Sequence, residues 1–146
     1  MKPMRPLTLA IAGGILAATA FVSAQSGVKV VATIREIHDA MITPASDALF
    51  EGGGKDRKDD GQWQALQHNA VILAESGNLL MMGSRVKDKR GWTRYCQALV
   101  DAGSAALKAV RDKDSAGLMR AGDQIVLVCE SCHEPYRDGG RKMPIK

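Results

Sequence analysis

Apolar residues recur at steps of three and four residues in four stretches of the chain, separated by polar or glycine-rich segments. Such spacing places the apolar side chains on one face of an α-helix. The pattern predicts helices over residues 28–50, 62–82 and 92–111, and a fourth from Asp114 or Ser115 to the cysteine pair near the C-terminus. Four amphipathic helices with short polar connections predict an all-α fold, an antiparallel up-down-up-down four-helix bundle.

Prolines and glycines refine these boundaries. Pro44 interrupts the first helix, so we expect a kink there, or a restart with Thr43 as cap and Pro44 in the first turn. Glu51–Gly61 contains three consecutive glycines and a charged cluster, which is typical of a solvated loop. Gly103 falls on the apolar face of the third helix, where a neighbouring helix can approach closely. The first helix is predicted to turn inward Val31, Ile34, Ile37, His38, Met41, Ala45, Ala48 and Leu49.

The N-terminal residues have the pattern of a secretory signal. Lys2 and Arg5 precede an apolar run, Leu7–Val22, and small residues follow directly after it. This order predicts that residues 1–24 are cleaved and that residues 25–146 form one mature, exported domain. The alternative is an uncleaved membrane anchor, but the run is shorter than the roughly 18 to 20 residues that span a bilayer.

Charge and cysteine count narrow the function classes. Residues 25–146 carry 18 basic and 16 acidic side chains, a net charge of +2. This bias is too weak to indicate nucleic-acid binding. The chain has three cysteines, an odd number that does not fit the fully paired disulfide framework of small exported proteins. At least two of the cysteines are therefore expected to have another role.

The segment Cys129-Glu130-Ser131-Cys132-His133 has the C-x-x-C-H spacing of a c-type haem attachment site. Two thiols one helical turn apart can each add to one haem vinyl group, and the adjacent histidine is then held beneath the iron as an axial ligand. A thioredoxin-like dithiol is one alternative, but its expected βαβ context is missing. A zinc site is another, but the sequence has no second ligand pair.

The predicted topology indicates which residues surround His133. In an up-down-up-down bundle, the start of the first and third helices and the end of the second and fourth helices meet at one end. His133 ends the fourth helix, so a haem is expected at that end. Its expected neighbours are Ile34, Ile37, His38, Met41, Leu80, Met81, Trp92, Tyr95 and Cys96.

A four-helix bundle with C-x-x-C-H near its C-terminus resembles the class II cytochromes c, the family of cytochrome c′ and the six-coordinate c-556 type. The resemblance covers essentially residues 25–146, and its firmest part is the Cys129–His133 motif with Tyr136 just beyond it. Weaker support comes from TIREIHDAMITPASDALF (Thr33–Phe50) and from the segments GNLLMMGSR and QALVDAG.

This resemblance implies a set of haem ligands. Cys129 and Cys132 would form the thioethers to one covalent haem c, and His133 would be the proximal iron ligand. Six-coordinate members use a methionine of the first helix as distal ligand, and the position that looks equivalent holds His38 here, with Met41 one turn later. Three arrangements follow: distal His38, distal Met41, or an open five-coordinate iron.

The resemblance implies a periplasmic electron carrier rather than an enzyme. Its partners would be periplasmic redox proteins, with contact to a membrane only through transient docking to redox complexes, and two copies of the chain would be able to pair. The alternative function is a cytochrome c′-like protein that binds NO or CO, with Ile34, Ile37 and Met41 walling an apolar distal pocket. A third reading is a haem-free thiol or structural bundle.

Four further groups of residues have simpler interpretations. His68 is predicted to lie at the surface, and Cys96 is expected to be a buried structural thiol. Met81 and Met82 are expected to fill gaps in the core. The basic segment Arg85–Arg90 is interpreted as a solvated turn, or as an electrostatic docking patch for an acidic partner.

Overall fold

The computed structural model describes residues 29–55 and 58–137, so the predicted signal peptide at 1–24 lies outside the described part. The described residues form helices and no strand, which confirms the all-α prediction. None of the helices in these two ranges is long and apolar enough to cross a membrane. The elements are α1 (Ile34–Ile37), a π-helical turn (His38–Ile42), α2 (Thr43–Gly53), α3 (Asp60–Leu80), a 3-10 turn (Gly83–Arg85), α4 (Gly91–Arg111) and α5 (Ser115–Tyr136).

The helices pack as four units around one core. Helix α1, the π-helical turn and α2 follow one another without a break and together form the first unit. Helix α3 packs against α4, α4 packs against α5, and α2 packs against both α3 and α5. The apolar faces therefore meet in one interior, where the most deeply buried side chains include Leu49, Leu73, Leu118 and Ile125.

Side-chain caps fix where three of the helices begin. The Thr33 hydroxyl accepts from the Glu36 N–H at 3.1 Å while the Glu36 carboxylate accepts from the Thr33 N–H at 2.7 Å, a capping box. Asp59 and Gln62 make the same reciprocal pair before α3. Asp114 accepts from the Gly117 N–H and caps α5, as one of the two predicted caps. The first helix accordingly begins at Ile34, later than the predicted residue 28.

The π-helical turn coincides with the predicted break at Pro44. The Thr43 N–H bonds to the His38 carbonyl five residues earlier, which defines a π-helical turn. Pro44 lies in the first turn of α2, directly after the π-helical turn. The chain stays helical from Ile34 to Gly53, and Ile42 before α2 has helical dihedral angles and makes no side-chain capping hydrogen bond, so the predicted restart with Thr43 as cap is wrong.

Helix α2 continues through two glycines that were predicted to lie in a loop. The helix continues to Gly53, so the prediction that Glu51 to Gly53 belong to a loop is wrong. Gly52 and Gly53 are buried, and a Cβ on Gly52 would overlap the Leu66 side chain of α3. Close packing of α2 on α3 therefore compensates the poor helix propensity of these glycines.

Helices α3 and α4 approach closely through one glycine on each. A Cβ on Gly103 would lie 2.7 Å from the Ala74 backbone nitrogen, and one on Gly77 would lie 2.8 Å from the Cys96 carbonyl oxygen. The close approach predicted at Gly103 is confirmed, and Gly77 makes the reciprocal contact. The two glycines hold α4, and with it Cys96, tightly against α3.

Burial agrees with most of the predicted inward faces. Val31 is the exception, because its side chain is 78% exposed. It precedes the helix start, so the helical spacing used to place it inward does not apply. Met81 and Met82 are half-buried, and His68 is exposed as predicted.

Candidate functional site

In the last turns of α5, the side chains of Cys129, Cys132 and His133 line one small cavity. Residues at positions i, i+3 and i+4 share a face of a helix, so the C-x-x-C-H spacing is what brings the three side chains together. The π-helical turn, the end of α3 and the first half of α4 form the other walls. Their contributions, with one further residue of α5, are His38, Ile42, Leu80, Tyr95, Cys96, Leu99 and Val128.

Four of the nine neighbours predicted for His133 line this cavity. They are His38, Leu80, Tyr95 and Cys96; Ile34, Ile37, Met41, Met81 and Trp92 are not part of the lining, while Ile42, Leu99 and Val128 are additions. The π-helical turn explains the exchange of Met41 for Ile42. With about 4.4 residues per π-helical turn, Met41 lies about 115° round from His38, compared with about 60° in an α-helix. Met41 instead packs, half-buried, against the core.

His38 and His133 face each other across the cavity. Their ring centroids are 5.7 Å apart and the ring planes are inclined by 43°. Burial lowers the pKa of His38, and the neighbouring His133 lowers it further. Burial also lowers the pKa of His133, with Arg137 adding to the effect. Both rings are therefore neutral near pH 7, the state in which an imidazole nitrogen can bind a metal.

The two motif cysteines are half-buried free thiols. Burial raises the pKa of Cys129, and it raises the pKa of Cys132 to about 11. A dithiol that exchanges disulfides needs the opposite, a lowered pKa that makes the thiolate at neutral pH. These thiols therefore lack the activation of a redox dithiol.

Cys96 is the third thiol on the same cavity. Its side chain is only 2% exposed, as predicted for a structural cysteine. Burial, followed by the neighbouring Cys132, raises the pKa of Cys96 to about 12. The Cys96 thiol is consequently protonated and unreactive at neutral pH.

Tyr136 connects the end of α5 to the start of α4 and the residues before it, through ring packing and a hydrogen bond. Its ring packs edge-on against Trp92 and Tyr95, with centroid separations of 5.1 and 5.9 Å. Its hydroxyl donates to the Asp88 carboxylate, which also accepts from the backbone N–H groups of Arg90, Gly91 and Trp92. Asp88 was not among the residues predicted from the sequence, although an aspartate shortly before a helix is a recognisable capping signal.

Arg85 corrects the interpretation of the basic segment. This side chain is 7% exposed, so it does not belong to a solvated turn or to a docking patch. Its guanidinium donates to the Ala32 carbonyl at 2.9 Å and to the Leu79 carbonyl at 2.8 Å. Arg85 thus ties the chain before α1 to the end of α3, where the Leu80 carbonyl in turn accepts from the Trp92 indole at 2.8 Å.

Replacing Asp88 by asparagine is expected to lower the pKa of Tyr136. The hydrogen bond to Asp88 raises the pKa of Tyr136 to about 12, and the same bond lowers the pKa of Asp88. The contact therefore stabilises the fold between the ordinary carboxyl pKa of about 4 and the ordinary tyrosine pKa of about 10. This contribution is lost as the pH rises through 12, and also as it falls through the lowered pKa of Asp88.

Ultraviolet titration of the phenolate measures this effect. Tyr136→Phe identifies which part of the absorbance change belongs to Tyr136. In Asp88→Asn that part should move from about 12 toward about 10, the pKa of an unperturbed tyrosine. An unchanged midpoint would mean that the carboxylate does not hold the hydroxyl in solution.

The interpretation of this site rests on the residues of the chain itself. Comparison with protein-family models gave no match, and comparison with curated proteins found no significant similarity. The pairing of His38 with His133 beside Cys129 and Cys132 is therefore the main observation from which a function can be argued.

Proposed function

We propose that this protein is a c-type cytochrome of the class II family that carries electrons in the periplasm through one covalently attached haem. The supporting observation is that the Cys129–His133 motif and His38 meet at one cavity, with the two imidazole rings 5.7 Å apart. Neither a substrate site nor a general acid and base pair is needed for this role. Periplasmic redox proteins are the partners, and no enzymatic activity is proposed.

The proposed architecture is an antiparallel up-down-up-down bundle. Supporting it, His38 near the start of the first unit lies beside His133 near the end of α5. The Trp92 indole at the start of α4 bonds to Leu80 at the end of α3. These contacts gather two helix starts and two helix ends around the cavity, as that topology requires.

The donor set fits a haem c in its chemistry. Cys129 and Cys132 have the spacing for two thioethers, and both histidines are neutral imidazoles suited to iron. The two imidazole rings face the same cavity with their centroids 5.7 Å apart, so both would be available to hold one iron.

The side chains around the His38 and His133 rings must move apart to admit a haem. The cavity has a volume of about 30 Å³, which leaves room for about two water molecules and not for a haem. Attachment therefore needs the π-helical turn or the surrounding side chains to move apart. Short π-helical segments within helices occur frequently at functional sites.

Each residue around the cavity has a separate task. When bound, the haem supplies an iron that gains and loses one electron. Cys129 and Cys132 would tether the group, and His133 would ligate the iron. Ile42 and Leu99 exclude water, which controls the reduction potential. His38 would provide the second ligand, and histidine in this position would favour the ferric state and a lower potential than a methionine thioether.

Replacing His38 by alanine is expected to change the iron from six-coordinate to five-coordinate. Met41→Ala is the matched control, because Met41 packs against the core and does not line the cavity. The ferric absorption spectrum should become high-spin in His38→Ala, and the reduced protein should bind carbon monoxide. Met41→Ala should keep the spectrum of the unaltered protein.

The opposite pattern would assign the distal position differently. A changed spectrum in Met41→Ala with none in His38→Ala would make Met41 the ligand. If neither substitution alters the spectrum and the unaltered protein already binds carbon monoxide, the iron is open. The protein would then be a gas-binding haem protein like cytochrome c′.

A further inference from the structure

A group of exposed cations lies beside the candidate site. Lys87, Lys89 and Arg90 precede α4 and are exposed, and we call these three residues the basic loop. Arg94, one turn into α4, is also exposed, and its guanidinium stacks 5.0 Å from the ring centre of Tyr95. Since Tyr95 lines the cavity, this positive charge lies close to the proposed haem.

Asp88 holds the basic loop in a fixed position. Its carboxylate accepts from the N–H groups of Arg90, Gly91 and Trp92 at 3.0, 2.6 and 3.3 Å, and also from the Tyr136 hydroxyl. Tyr136 lies only three residues beyond His133 on α5. The loop is therefore anchored next to the last turn of α5 and cannot drift away from the site.

The cations of the basic loop have no ion-pair partner among residues 29–55 and 58–137. The ion pairs found there are Arg35–Asp39, Lys108–Asp112, Lys113–Asp60 and Arg120–Asp114. The exposed carboxylates of Glu130 and Glu134 on α5 belong to none of these pairs. Three of the four pairs lie around the turn from α4 to α5, whereas beside Tyr95 and Tyr136 the four cations Lys87, Lys89, Arg90 and Arg94 outnumber the one carboxylate of this segment, Asp88.

We propose that the basic loop and Arg94 form a docking surface for the acidic face of a redox partner protein. Uncompensated charge of one sign attracts an oppositely charged surface and raises its association rate, an effect that salt screens. The inference rests on the proposed function, because electron transfer is what requires a partner to approach this end of the molecule.

A protein partner fits this surface better than an anionic membrane. Proteins that lie on membranes usually insert apolar side chains beside their basic residues. The exposed large apolar residues of the described chain are Val31, Phe50, Val71, Ile72, Met119, Val126 and Leu127, and none belongs to the basic loop. The surface is thus polar and charged, as is typical of transient protein contacts.

Charge reversal of the basic loop tests the proposal on the haem-loaded protein. Lys87→Glu/Lys89→Glu is compared with Lys55→Glu/Arg111→Glu, which changes the net charge equally at exposed positions elsewhere. The probes are hexacyanoferrate, an anionic oxidant, and hexaammineruthenium, a cationic one. At low salt the first variant should react about threefold to tenfold more slowly with hexacyanoferrate and faster with hexaammineruthenium. The second should change much less, and high salt should remove the difference.

Binding to poly-L-glutamate tests the surface without electron transfer. Amide NMR signals of residues 86–94 should shift on addition of the polyanion in the unaltered protein and in Lys55→Glu/Arg111→Glu, but not in Lys87→Glu/Lys89→Glu. Equal effects of the two variants in both experiments would overturn the proposal, as would stronger binding of the loop to phosphatidylglycerol vesicles. If the protein held no haem, the electron-transfer experiment would fail but the binding of poly-L-glutamate would be unaffected. Failure of the proposed function can therefore be distinguished from failure of the docking proposal.

Discussion

Replacing both Cys129 and Cys132 by alanine is expected to abolish covalent haem attachment in the exported protein. The two thiols have the one-turn spacing that thioether formation requires, and both open on the cavity that holds His133. Without them no bond links the haem to the chain, and ligation by His133 alone does not survive denaturation. Haem staining of the denatured polypeptide and a pyridine haemochrome spectrum measure the attached fraction.

Cys96→Ala is the matched control for this experiment. Cys96 lines the same cavity, but it is 2% exposed and lies on α4 rather than in the C-x-x-C-H motif. Its substitution should leave one haem attached per chain. Loss of attachment in Cys96→Ala together with full attachment in the double variant would refute the assignment of the motif.

Gly103→Leu is expected to destabilise the fold by about 2 to 4 kcal/mol, because added side-chain volume has no space at this position. A Cβ there would already lie 2.7 Å from the Ala74 nitrogen and 2.8 Å from its Cα. These are backbone atoms, so α3 and α4 would have to separate. The walls of the cavity contributed by Leu80 and Cys96 would move with them. Denaturant unfolding followed by circular dichroism gives the change in the free energy of unfolding.

Gly122→Ala provides the contrast within α5. A Cβ at Gly122 would lie 3.6 Å from the Phe50 ring, which is an ordinary packing distance. Alanine at this helical position should stabilise the protein by up to about 1 kcal/mol through its better helix propensity. Equal effects of the two substitutions would show that the close contact of α3 with α4 does not exist in solution.

The sequence predicted the helices well wherever local signals agreed with one another. Asp114 caps α5 as predicted, and the apolar spacing located α3 and α4 to within two residues. The errors occurred where contacts between helices decide the outcome. Gly52 and Gly53 continue α2 because Leu66 and Met119 pack against them, and no local pattern reveals such contacts.

The sequence predicted part of the set of residues that meet at the cavity, but not the local geometry that selects them. The C-x-x-C-H spacing predicted that Cys129, Cys132 and His133 lie together, and these side chains do line one cavity. The choice between His38 and Met41 depends on the π-helical turn, which regular helical spacing does not predict. Arg85 was misinterpreted because its carbonyl partners, Ala32 and Leu79, come together only in the folded chain.

The visible absorption spectrum of the exported protein tests the proposed function most directly, recorded in the ferric and dithionite-reduced states with and without carbon monoxide. Because His38 faces His133 at 5.7 Å, we expect a covalently bound haem with sharp reduced bands that carbon monoxide does not change. A broad reduced band that shifts with the gas would contradict six-coordination and indicate a gas-binding role. A colourless protein with titratable Cys129 and Cys132 would contradict the haem assignment itself.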